Sequence, residues 1–108
     1  TETDNEYVEP LIQEVYHEID RLHQEPVSAE ELTIVRNYML GEMCRSYESP
    51  FSLSDAWIFI ATSGLDDDYF SRSLLAVNEV TPMEIQDLAQ RYLCKESLKE
   101  VIAGKKLS

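Results

Sequence analysis

Basic residues are scarce in this chain: 9 Lys and Arg stand against 21 Asp and Glu over 108 residues, a formal charge of −12. That shortage excludes nucleic acid and anionic membrane surfaces as partners, because phosphate binding needs clustered Lys and Arg. Long apolar runs are missing as well. None approaches the ~20 residues of a membrane span, and no basic-then-apolar signal segment opens the sequence. Three scattered glycines, Gly41, Gly64 and Gly104, cannot build a phosphate-cradling loop. The two cysteines, Cys44 and Cys94, form no Cys-x-x-Cys pair and no framework spacing. Both fall in helical patterns, where a lone cysteine acts as a small buried hydrophobe; one disulfide stays open for an oxidising compartment.

What is present is globular material, 44% hydrophobic and 28% charged. The length suits one domain, or a piece of one, with a modest core burying about two-thirds of the chain's surface. The acidity is local. Residues 1–31 hold ten acids and a single base, Arg21, whereas residues 32–108 hold eleven acids and eight bases. A solvated acidic helix face explains this without a dedicated cation site.

Val8, Leu11, Ile12, Val15, Ile19 and Leu22 recur at helical spacing and predict an amphipathic helix from about Tyr7 to the break at Pro26. Ser28-Ala29-Glu30-Glu31 is a capping box, with Val27 and Leu32 spaced as a hydrophobic staple. The helix that follows carries Leu32, Val35, Met39 and Met43 to about Tyr47, and Gly41 within it predicts close approach by another element. Ser49-Pro50 interrupts. Ser52 or Ser54 then caps a short helix with Leu53, Ala56, Trp57 and Ile60 on one face, apolar nearly all round and so expected to be buried on several sides. Gly64 suits the left-handed position after it. Asp66-Asp67-Asp68 is placed to cap a fourth helix carrying Tyr69, Phe70, Leu74 and Val77. Thr81-Pro82-Met83-Glu84 opens a fifth, with Ile85, Leu88, Ala89 and Tyr92 facing inward. Leu98 to Ala103 reads as a short strand, ended by Gly104 and the basic Lys105-Lys106.

The expected fold is therefore α+β, about five α-helices with one C-terminal β-strand. A lone strand cannot satisfy its backbone groups, so the expectation includes a larger domain from which this piece is cut. Residues 1–6 read as a linker or edge, 7–106 as the helical portion and 107–108 as a tail.

Tests for chemistry return no site. His17 and His23 lie six residues apart, about 120° around a helix, and lack the i, i+4 geometry of a shared metal. Glu14-x-x-His17 and Asp20-x-x-His23 resemble the Glu-x-x-His unit of carboxylate-bridged di-iron bundles, but that site draws its units from separate helices. Both histidines read as surface residues. The aspartate triplet lacks the glycine and terminal glutamate of a calcium loop. No Gly-x-Ser-x-Gly elbow occurs, and carboxylates on exposed helix faces supply no general acid at neutral pH.

Glu30-Glu31-Leu32, then Asn37 through Glu42, and a short apolar helix ending Ser63-Gly64-Leu65 resemble the late part of an insulinase/pitrilysin-type zinc peptidase domain. The stretch Val80 to Leu93 is the most telling, and Leu98 to Lys105 is similar to the strand that completes such domains. The resemblance covers about residues 7–106. It implies part of a mitochondrial processing peptidase-like metallohydrolase domain of the noncatalytic kind, which shapes a peptide chamber. The family's inverted His-x-x-Glu-His motif is absent from this sequence, and so are the strands that carry its substrate-holding Arg/Tyr pair. No catalytic, metal or substrate residue is therefore carried over; zinc is expected in the parent's other domain. The implied partners are the remaining domains or a paired subunit, peptide substrates of the parent, and a second copy of the piece as a homodimer. The alternatives are a catalytically dead subunit and a free-standing acidic helical module that uses residues 7–25 to bind a basic partner.

Overall fold

At Ser28 and at Ser49 a short polar side chain caps the start of a helix. In the computed structural model, which describes residues 1–104, five α-helices result. They are α1 (Val8–Gln24), α2 (Ala29–Arg45), α3 (Pro50–Thr62), α4 (Tyr69–Glu79) and α5 (Pro82–Tyr92). Single 3-10 turns precede α1 at Asn5–Tyr7 and follow α5 at Lys95–Ser97. Lys105, Lys106 and the tail 107–108 lie outside the described residues.

The capping box of α2 is formed as expected. Ser28 Oγ accepts the Glu31 amide at 3.1 Å, and the Glu31 carboxylate accepts the Ser28 amide at 3.3 Å. The start of α3 differs from expectation: Ser49 is its cap, paired with Ser52, and Pro50 is its first residue. Proline belongs there because its missing N–H has no acceptor in the first turn anyway, so Ser49-Pro50 begins a helix rather than interrupting one. Gly64, at φ +67°, closes α3, and the Leu65 amide reaches back to the Ile60 carbonyl at 3.1 Å. This is the left-handed glycine termination the sequence predicts. Asp68 makes no side-chain cap on α4; Arg72 instead pairs with Asp68 at 3.2 Å and with Asp66 at 3.9 Å.

The described residues contain no β-strand, so the α+β expectation is wrong: the structure is all-helical. After the 3-10 turn, residues 98–103 carry no regular structure. A short run rich in apolar residues suffices for a strand reading, but a ladder needs a second backbone, and no segment among the described residues supplies one. The strand that the resemblance implies at the end of such a domain is therefore not formed among the described residues.

Two units make up the chain. One joins residues 1–27 to the chain from Pro82 onward and is built on α1 packed against α5; Ile19 and Ala89 are its buried residues. The other, residues 28–81, packs α2 against α4, with Leu32 and Ile60 buried. In it the Arg36 side chain donates to the Val77 and Val80 carbonyls at the end of α4, and the Tyr47 and Phe70 rings lie 3.8 Å apart between centroids.

These four are the only buried residues among those described. Val35, Met39, Leu88 and Tyr92, expected inward, are exposed, and so is most of the all-round apolar α3. Cys44 is exposed and Cys94 half-buried; both are free thiols, so the reading of two buried hydrophobes fails for Cys44. The glycine in α2 is not approached by another element: a Cβ on Gly41 would meet only the guanidinium of Arg45, at 3.7 Å.

Candidate functional site

The acidic helix α1 brings together the one group of potential metal ligands among the described residues, Glu14, His17 and Glu18, whose ligand atoms lie within 4.8 Å of each other. Their spacing of three and four residues puts all three on one turn of the helix. His17 Nδ1 lies 3.8 Å from Glu14, and both are well exposed. Glu18 is already engaged, because Arg21 Nη1 donates to its two oxygens at 2.8 and 3.1 Å. One imidazole and two solvated carboxylates, one of them neutralised by a guanidinium, do not fit the closed tetrahedral set of a structural zinc.

His17 and His23 are not brought together. His23 is half-buried rather than on the open surface, and its Nε2–H donates to the Ala89 carbonyl at 2.9 Å, which assigns its tautomer. Its own carbonyl accepts the side-chain amides of Gln86 at 3.0 Å and Gln90 at 2.8 Å. Asp20 pairs with Lys95, so both residues of the Asp20-x-x-His23 unit are engaged in contacts within the chain. His23 therefore locks α1 to α5.

Each unit carries a concavity. In the second unit an open hollow of about 410 Å³ is lined by Met43, Tyr47, Phe59, Tyr69 and Phe70, with Asp55 its only charged side chain. It holds no nucleophile–base pair. The larger concavity, about 960 Å³, lies in the first unit between the start of α1 and residues 101–104. Val8, Leu11 and Ile12 form one side, and Glu2, Glu6 and Glu9 stand along it. The helical face that supplies the floor is legible in the sequence. The contribution of residues 1–6, read there as a linker, and of Val101 and Ile102, read as strand, is not.

No helix among the described residues is long and apolar enough to cross a membrane. No protein-family model matches the chain, and neither does any curated protein or solved structure.

Proposed function

We propose that this chain is a noncatalytic, substrate-enclosing part of a zinc-dependent peptidase of the insulinase type, inert as a peptidase by itself. The observation that carries the reading is the apolar surface left uncovered. Phe51 is 84% exposed and Tyr38 67%, and Ile34, Trp57, Ile58 and Met83 are also open to water. Covering one such side chain is worth about 1.5–3 kcal/mol, so a chain that exposes this many is stabilised by another polypeptide laid against it. The resemblance of segments 30–42, 63–65 and 80–93 to the peptidase family supports reading that polypeptide as the rest of the enzyme or a paired subunit. In the parent, zinc held by another domain would activate water for attack on a peptide carbonyl.

The experiment is to isolate the polypeptide that carries or accompanies this chain in its native source and read its sequence. An inverted zinc motif in it, together with peptide cleavage that the chain alone lacks when given zinc, is the expected result. A parent and companions without that motif would overturn the reading; a companion that has it, beside a parent that lacks it, selects the dead-subunit form.

A second reading, an acidic helical module that binds a basic partner, is favoured by the acid-rimmed concavity at the start of α1. Self-association through an apolar face speaks for the domain piece, and a stable monomer with salt-sensitive binding speaks for the module.

A further inference from the structure

The groove at the start of α1 combines an aliphatic floor with an acidic rim. Its aliphatic floor is open: Val101 is 91% exposed and Ile102 63%, facing a cavity whose other side is Val8, Leu11 and Ile12. Its rim is anionic. Glu2, Glu6 and Glu9 line it with no Lys or Arg among the described lining residues, and none of the three forms an ion pair with a described residue; Glu9 accepts the neutral side-chain amide of Gln13 at 3.0 Å. Elsewhere on the same helix acids do find cations: Glu18 has Arg21 and Asp20 has Lys95.

We propose that this groove binds a short segment of another protein in which lysine or arginine alternates with aliphatic residues. The proposal rests on the interaction-module reading and names the class of partner. Aliphatic side chains of the segment cover Val101, Ile102 and Ile12, while its cations reach the three carboxylates. Lysine and arginine suit both halves, because their methylene stems lie along apolar surface while their heads stay in water. Charge decides against the other occupants. A second copy that brought its own acidic start of α1 to this rim would set like charges together there, and a neutral apolar ligand would desolvate the rim with no compensating cation.

The test is fluorescence anisotropy with the full chain and a labelled synthetic peptide that alternates lysine and leucine. Peptides alternating glutamate with leucine and lysine with serine serve as controls. The lysine–leucine peptide is expected to bind, the glutamate peptide not at all, and the lysine–serine peptide more weakly. The double variant Glu6→Gln/Glu9→Gln and the single variant Val101→Ser should each weaken binding about tenfold while the circular dichroism spectrum stays unchanged. Raising the ionic strength from about 0.1 to about 1 M cuts the screening length from about 10 to about 3 Å and should weaken binding further. If the peptide binds but only Glu14→Gln/Glu18→Gln weakens it, the groove assignment is overturned while the module reading stands. If the lysine–leucine peptide fails to bind at either ionic strength, the module reading itself fails.

Discussion

The hydroxyl of Tyr16, in the middle of α1, donates a hydrogen bond to the carboxylate of Glu100, 84 positions along the chain. Together with the ion pair between Lys95 and Asp20, it returns the segment after α5 to the helix that begins the unit. The segment that carries Glu100 is thus tied down by side chains where a strand pattern leads one to expect a ladder.

The same contact makes Tyr16 a reporter. Its phenol is held above the ordinary value of 10.0, first by the hydrogen bond to Glu100, then by partial loss of water and the nearby negative charge. A raised folded-state pKa means that folding favours the neutral phenol. The contact's contribution is therefore complete below about pH 10 and fades as pH climbs through the raised value. Ultraviolet titration should show one tyrosine ionising later than the rest. Tyr16→Phe should remove that late component, and Glu100→Gln should shift it down; a late component that survives Tyr16→Phe would assign it to another tyrosine.

Helix positions were legible in the sequence because they depend on local chemistry. Ser28 with Glu31, Pro82 at the start of α5 and Gly64 after α3 act within a few residues, and each sits where the pattern predicts. Burial was far less legible. Val35, Met39 and Tyr92 obey helical periodicity, yet a periodic face becomes buried only if something covers it, and the described residues provide no cover. The Leu98–Ala103 segment fails for the same reason, since strand formation depends on a partner backbone rather than on its own composition. At the candidate groove, Val8, Leu11 and Ile12 were visible as a face. Their meeting with Val101 is a contact between distant parts of the chain that no local pattern encodes.

Ser28→Ala should destabilise the chain by about 1 kcal/mol, because it removes the oxygen that accepts the Glu31 amide, while the backbone amide of residue 28 can still donate to the Glu31 carboxylate. Ser28→Gly should cost only a few tenths of a kcal/mol, since glycine lets water reach the same amide. The ordering of thermal midpoints, wild type above Gly above Ala, is the readout; equal losses for the two variants would point to a packing effect in place of capping.

Gly41→Ala should raise stability by about 0.8–1 kcal/mol. Gly41 sits inside α2 without a positive φ, and an added methyl would meet nothing closer than the Arg45 guanidinium at 3.7 Å, an ordinary contact with a flexible side chain. A higher midpoint in thermal or urea unfolding is expected. A lowered midpoint would mean that another surface does come close to Gly41, as the sequence had suggested.

The carbonyl of His23 gives the sharpest energetic test of how α1 is locked to α5. It lies in the last turn of α1, where carbonyls have no partner within the helix. Gln86 and Gln90, one turn apart on α5, both donate to it. Replacing either glutamine by methionine keeps most of the packing and leaves the oxygen with one donor, so each single variant should lose only about 0.5 kcal/mol. Removing both leaves a part-buried acceptor with no protein donor, and that loss should be about 1–3 kcal/mol. The double-mutant cycle in urea should then show a loss larger than the two single losses combined. The contact between the His23 ring and the Ala89 carbonyl survives in all three variants, so the helices remain paired and the cycle reads the carbonyl alone. Strict additivity would show that water replaces the glutamine amides without penalty, and that the α1–α5 contact is held by Ile19 and Ala89 packing instead.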